Sequence, residues 1–314
     1  MSQPPVLQFH FFGNARHKAW DLAFRPYFEA LQARRNLAIE PVFDQGAHGL
    51  HDRPQAIAEG REDGGVIHPG LAPARFPDND ALCLPGLFED NAEVSIVLTR
   101  LLAAEALRGY EDYVVAAGLG TTAQHLHARV PIQGIRDLAG LSVRVGNAID
   151  AQVVASLGAR PVAMPPTDVH DAMREQRIEA ALMNAGAFFN YRADAVARWH
   201  WMAGIGSTPA VVLWNRRRIE ALPPAARGDL ETTDALAHAY NDSYGRYMES
   251  MDGRLRAEPG HACLEVAEDE REELRRIFAA VARTWQERSA HNRAVYQQML
   301  RVRDQYRSES QGQA

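Results

Sequence analysis

Leu141 to Met183 reads LSVRVGNAIDAQVVASLGARPVAMPPTDVHDAMREQRIEAALM, and this stretch switches repeatedly between two periods. Leu141–Val145, Pro161–Met164 and Ile178–Met183 are short apolar runs of strand length. Asp150–Leu157 and Asp168–Gln176 lie between them and read as helices. Gly158 closes the first as a left-handed cap, and Thr167 is the expected N-cap of the second. Strands joined by helical crossovers pair in parallel, so the stretch predicts an α/β sheet covered by helices.

The N-terminal part repeats the pattern. Val6–Phe12 alternates Leu7, Phe9 and Phe11 against more polar neighbours, which predicts a strand. Ala19–Ala33 aligns Trp20, Phe24, Phe28 and Leu31 on one helical stripe. Leu37–Phe43 reads as a strand, Arg53–Gly60 as a short helix and Gly64–Ile67 as the strand after it. Pro69, Pro73, Pro77 and Pro85 mark a surface segment. A helix over Asn91–Arg108 and a strand at Tyr113–Ala117 follow it. Further on, Gln124–Val130 and Val211–Trp214 read as strands. From Glu265 to about Arg307 the chain is helical without Gly or Pro, as two helices or one long one. The polar tail Ser308–Ala314 is expected to fray.

A chain of 314 residues fits one large or two medium domains. It is 46% apolar and 24% charged, with a formal net charge of -6 and scattered arginines; a nucleic-acid partner is not expected. No run approaches the about 18 apolar residues that would span a membrane. Met1-Ser-Gln-Pro-Pro lacks a basic start and an apolar core, so it does not read as a signal peptide. Either the chain is cytoplasmic or a leader was removed. Cys83 and Cys263 cannot build a disulfide framework; two buried thiols are the plainer expectation, and a single bridge stays open.

Most motifs with chemical content fail on context. Gly118-Leu-Gly120-Thr-Thr-Ala123 matches a loose dinucleotide fingerprint, but a strand rather than a helix follows it, so no nucleotide cofactor is expected. His125 and His127 share one strand face without a third ligand at zinc spacing, so no metal is expected. No serine elbow, phosphate loop or cysteine–histidine pair stands out, and the chain does not read as an enzyme. Arg144 is different. It sits in the middle of the strand Leu141–Val145, where an unpaired guanidinium is expensive to bury. Either the strand is an edge and the charge is solvated, or an anion pairs with it. A planar guanidinium suits a carboxylate, which points to an organic acid.

The run Pro131-Ile-Gln-Gly-Ile-Arg-Asp-Leu-Ala-Gly-Leu-Ser-Val-Arg144-Val145 resembles the DctP-type solute-binding proteins of TRAP transporters. The similarity continues through Leu157-Gly-Ala-Arg-Pro-Val-Ala-Met164-Pro, Thr167-Asp-Val-His, Ala172-Met and Ile178-Glu-Ala. Asn215, Leu222-Pro223, Arg75-Phe-Pro77 and Leu84-Pro85 add to it, and it spans roughly residues 6 to 290. The resemblance implies a two-lobed, periplasmic-binding-protein-like α/β fold with an interlobe cleft and a long C-terminal helix. It also implies a periplasmic receptor, membrane permease subunits as partners, and an arginine, here Arg144, that pairs with the ligand carboxylate. Some relatives carry a second arginine where this chain has Gln124, which keeps a hydrogen bond but loses the charge. An asparagine common in organic-acid binders falls at Met183 or the adjacent Asn184, and strand alternation would turn Asn184 to the other face. Pro166 stands where relatives often have an aromatic residue. These departures point to a monocarboxylate.

The expected ligand-binding residues are therefore Arg144, Gln124, Met183, Asn184, His68 and Asn14. His68 follows the strand end Val66-Ile67, where open α/β sheets place ligands, and Asn14 follows the first strand. Phe188 and Phe189 are expected in the core rather than the pocket. One lobe is expected to comprise residues 1–122 and 211–251, the other 123–210 and 252–314, with crossings near Thr121–Gln124, Pro209–Val211 and Met251–Gly253. The rival reading is a cytoplasmic ligand sensor or an enzyme on the same two lobes. An enzyme requires a base or nucleophile converging on Arg144, and none is visible.

Overall fold

The computed structural model describes residues 4–34, 36–43, 49–228, 230 and 234–311. The strands are β1 (Val6–Phe11), β2 (Ala38–Phe43), β3 (Gly64–Ile67), β4 (Tyr113–Leu119), β5 (Gln124–Ala128), β6 (Ser142–Val145), β7 (Arg160–Ala163), β8 (Ala180–Met183), β9 (Trp199–Ile205), β10 (Ala210–Asn215) and β11 (Ala262–Leu264). The α-helices are α1 (Arg25–Gln32), α2 (Gly49–Ala58), α3 (Asn91–Ala103), α4 (Ala148–Ser156), α5 (Val169–Arg174), α6 (Ala185–Asn190), α7 (Arg216–Glu220), α8 (Pro224–Gly228), α9 (Asp234–Tyr240), α10 (Arg246–Ala257), α11 (Glu268–Glu287) and α12 (Ala290–Gln311).

They build two sheets, ordered β2-β1-β3-β10-β4 and β11-β9-β5-β8-β6-β7. In the first, β1 pairs in parallel with β2 and β3, and β10 enters antiparallel between β3 and β4. In the second, β7, β6 and β8 pair in parallel through the crossovers expected from residues 141–183, and β5 lies antiparallel between β8 and β9. Strand β6 is therefore interior, so the solvated-edge alternative for Arg144 falls away.

One apolar cluster is built within the first lobe, and a larger one runs from the second sheet across to Ile67, Leu98 and Leu213 of the first lobe. In the first lobe Phe9 packs edge-on against Phe28 (4.7 Å between centroids) and against Trp214 (5.4 Å), on the stripe expected from Ala19–Ala33. That stripe begins in a π-helical turn, Trp20–Phe24, before α1. Burying each such ring contributes about 1.5–3 kcal/mol. In the second lobe Val143, Val145, Ile149, Val153 and Leu182 are buried, and Leu274, Val281 and Trp285 of α11 cover them.

Several local expectations differ. The helix expected over Asn91–Arg108 stops at Ala103, because Glu105 turns left-handed at φ 52°. Thr167 does not cap α5; its hydroxyl donates to Asp168 Oδ1 (3.0 Å) inside a 3-10 turn. The C-terminal helical stretch is two helices, broken where Ser289 Oγ accepts the Asn292 N–H (3.0 Å). Ser308 to Gln311 continue α12 rather than fraying, and 312–314 lie outside the described residues. Both cysteines are free thiols.

The chain passes between lobes at 120–123 and 206–209, and these two crossings hold each other. Ser207 Oγ accepts from Thr121 N (3.2 Å) and donates to Thr121 O (3.0 Å), while Thr208 N donates to Thr121 Oγ1 (3.0 Å). Gly206 has φ +52°, and a Cβ there would lie 2.4 Å from the Cys83 carbonyl oxygen, so only glycine fits this strut. Helix α10 makes the third passage, packing on α6 and β11. Helix α11 packs on α4 beside the second sheet, whereas α12 packs on α3 beside the first, where Arg100 pairs with Glu309 at 2.8 Å.

Candidate functional site

A cavity of about 140 Å³ lies between the two lobes. From the second lobe, Arg144, Gln124, Met183, Asn184 and Tyr191 line it; from the first come His17, His68, Phe12, Phe24, Tyr240 and Tyr244.

Arg144 is 6% exposed. Its Nε donates to the Met164 carbonyl (3.0 Å), just past the end of β7, and its Nη1 to the Leu182 carbonyl of β8 (3.1 Å), so the strands on either side of β6 fix the plane of the fork. Nη2 has no hydrogen-bond partner and no carboxylate lies within ion-pair distance among the described residues. Burial pushes the guanidinium pKa down, and the nearby Asp150 carboxylate opposes that shift. The result is an oriented, desolvated cation without an anion in contact, which is the arrangement a carboxylate ligand completes.

Asp150 was not among the expected site residues. It is fully buried in the first turn of α4, whose N-cap Asn147 accepts the Asp150 N–H at 2.9 Å. Gln124 Nε2 donates to its Oδ1 (3.0 Å), and the Gly146 N–H makes a long contact to its Oδ2 (3.4 Å). Burial pushes its carboxyl pKa up to about 6, against the pull of Arg144 and these hydrogen bonds. Gln124 therefore spends its amide N–H on Asp150, and its Oε1 makes no hydrogen bond among the described residues.

Met183 and Asn184 both reach the cavity. Alternation does not separate them, because β8 ends at Met183 and Asn184 opens α6, its Oδ1 accepting from Ala187 N (2.8 Å). His68 lies edge-on to Phe12 (5.5 Å), and burial first, then Arg53 and His17, pushes its pKa down to about 4. Asn14 is not part of the site: it is exposed, and its Oδ1 accepts from Arg16 N (2.8 Å) in an Asx turn. That turn delivers His17, which the sequence reading missed. His17 Nδ1 accepts from Ala19 N (3.2 Å), so the neutral ring carries its proton on Nε2, and burial lowers its pKa to about 4.

His125 and His127 stay outside the cavity lining. His125 faces Asp252 (3.3 Å). His127 Nε2 meets the Met183 carbonyl (3.1 Å), which can only accept, so its Nδ1 accepts from His200 Nδ1 (2.9 Å). His200 Nε2 in turn accepts from His261 Nδ1 (2.8 Å), and three neutral rings form one directed chain. Phe188 stacks on His127 (4.4 Å) in the core, and Arg254 covers Phe189 (4.0 Å).

The model of the bacterial extracellular solute-binding protein family 7 (DctP) matches residues 41–290. The chain is 26% identical over 168 residues to the uncharacterized protein YiiZ of Salmonella typhimurium, and the match spans about half the length of each. It resembles a TRAP solute-binding protein from Rhodoferax ferrireducens crystallised with copurified benzoate: TM-score 0.87, 20% identity, 97% of this chain and 99% of that one. A marine metagenome TRAP solute-binding protein, described as specific for aromatic acids and crystallised with 3-hydroxybenzoate, gives TM-score 0.84 at 19% identity over 97% and 99% of the two chains.

Proposed function

We propose that this chain, which belongs to the bacterial extracellular solute-binding protein family 7, captures a small organic monocarboxylate through Arg144. The family is one of TRAP transporter receptors, not enzymes. The observation that carries the ligand reading is the buried Arg144 guanidinium, oriented by two carbonyls and facing an interlobe cavity without a contacting anion. A cavity of about 140 Å³ is close to the roughly 150 Å³ that takes up benzene, and its first-lobe wall includes Phe12, Phe24, Tyr240 and Tyr244. Benzoate and 3-hydroxybenzoate in the two structural neighbours are in keeping with that size.

With Gln124 where a second arginine would add charge, and Asp150 behind it, a second ligand carboxylate finds no cation. Isothermal calorimetry should show benzoate binding at least about tenfold more tightly than isophthalate, the penalty of one unpaired anion being 1.4 kcal/mol or more. A dicarboxylate that binds tenfold more tightly than its monocarboxylate analogue contradicts the reading.

We read residues 1–122 and 211–251 as one moving body and the sheet of 123–210 with α11 as the other, hinged at the Thr121–Ser207 crossings. Small ligands need burial on most sides, so the lobes close over them. Solution scattering should show the radius of gyration falling when benzoate is added; tight binding without compaction sinks the closure. Permease subunits in the membrane are the proposed recipient of the closed periplasmic form. Uptake by reconstituted permease that requires this chain checks delivery.

A further inference from the structure

The buried acid behind the anchor is not explained by carboxylate capture alone. Asp150 has no exposed surface, and it supports the amide of Gln124, which lines the cavity. A methyl group placed on Gly146 would sit 3.4 Å from Arg144 Nη2 and 3.6 Å from Asp150 Oδ2, so the cation and the acid flank the same glycine without touching. Before ligand enters, Arg144 and an ionised Asp150 roughly cancel. A ligand carboxylate then brings a second negative charge into the same desolvated space, where like charges repel strongly.

We propose that Asp150 is the proton-linked counter-charge of the Arg144 site: when a carboxylate settles on Arg144, the Asp150 carboxylate takes one proton from solvent. The site thereby exchanges one anion for another and keeps its charge. This rests on the reading of Arg144 as the carboxylate anchor. The surroundings leave Asp150 as the group that titrates. Arg144 faces it from β6 and the neutral Gln124 from β5. The segment Asn79–Cys83 packed against α4 offers the Cys83 thiol, whose pKa burial raises, and Asp80, whose carboxyl pKa burial raises against the opposing pull of Arg288 at 3.5 Å; Asp80 is paired with that cation and makes no ion pair with Arg144. On β7, Arg160 is engaged with the Ser142 hydroxyl, and α11 presents apolar Leu274, Val281 and Trp285 to this core. A carboxyl whose pKa lies near 6 in the free protein is poised for such uptake.

The test is calorimetry with benzoate between pH 5.5 and 7.5, in buffers of different ionisation enthalpy, where benzoate itself stays ionised. Wild type should take up a fraction of a proton per ligand, and its affinity should fall several-fold from pH 5.5 to 7.5, by no more than about tenfold per unit. The near-isosteric Asp150→Asn variant should bind without buffer dependence and, at pH 7.5, about tenfold more tightly than wild type. Uptake that persists in Asp150→Asn overturns the inference and moves the proton to His17 or His68. Absence of uptake in wild type overturns it outright. A ligand-free measurement separates this inference from the site reading: the titration midpoint of the Asp150 carboxyl, followed by carbon NMR, should rise in Arg144→Gln. A midpoint that does not move removes the counter-charge role whether or not benzoate binds; benzoate failing to bind while the midpoint moves removes only the ligand reading and, with it, the coupling to ligand.

Discussion

Replacing Arg144 with Ala should weaken binding of benzoate at least about thirtyfold, with folding retained. The loss of a buried, charged hydrogen-bond partner costs about 2–5 kcal/mol of binding. Arg144→Lys should recover only part of it. Lysine keeps the charge but not the planar fork, and its three donors cannot hold the Met164 and Leu182 carbonyls and a carboxylate in the same plane. The Ala variant also strips both carbonyls of their donor, at about 1–3 kcal/mol for each buried group left unsatisfied, so its melting temperature must be followed alongside its affinity. Calorimetry on a variant with an intact melting transition decides the matter. Unchanged affinity there rejects Arg144 as the anchor.

Acidification from pH 7.5 to 5 should lower the melting temperature by on the order of 10 °C. His127 and His200 are buried as neutral rings, with pKa values pushed well down and to about 3 respectively, chiefly by burial. In the unfolded chain both titrate near 6.5. Below that pH the unfolded state binds more protons, so stability is complete above about 6.5 and is lost as the pH falls towards the folded value. At pH 5 His200 has forfeited about 2 kcal/mol, and His127 adds to the loss in the same direction. His17 and His68, held near 4, act in the same direction. Asp150 acts in the opposite one: its raised pKa is a cost above about 6 that protonation relieves. Burial raises Asp80 and Glu249 in the same sense, and the four buried histidines outweigh these carboxyls. The directed His127–His200–His261 chain sharpens the effect, because a proton added to any ring places two N–H donors face to face. Scanning calorimetry across the window checks this, and a melting temperature that is flat or rises towards pH 5 contradicts neutral burial.

The parallel β7-β6-β8 unit, the aromatic stripe of the first lobe and the buried arginine were all legible in the sequence. Each rests on something local: a period, a capping glycine, or a charged residue in an apolar run. The elements that were missed have mixed signals. Trp199–Ile205 carries His200 and Gly204 inside a run of strand length, and β11 is three residues long, so neither shows a clean alternation. The helix stop at Ala103 hangs on the backbone of Glu105, a residue with no strong preference for the left-handed region.

The site divides in the same way. Arg144 declared itself because burying a guanidinium in a strand needs a reason that one residue's context can state. Gln124, Met183, Asn184 and His68 reached the cavity as expected from the family pattern and from the strand ends. Asn14 did not, and His17 took its place, because an Asx turn spends the asparagine on Arg16 and turns the next residues inward. Asp150 was invisible for a different reason. In sequence it is an acid in the first turn of a helix, where acids are common and exposed. Only the packing of α4 against β6 and β7 removes its solvent and sets it beside Gln124 and Arg144. What the sequence by itself determined was the α/β fold class and a guanidinium in the middle of a strand, since periodicity and the placement of a charge in an apolar run are properties of the chain. Which polar groups gather around that charge, and how far their proton affinities shift, was decided by tertiary structure. Electrostatic energy depends on separation and on the water excluded, and residues 124, 144 and 150 share neither until the lobe is folded.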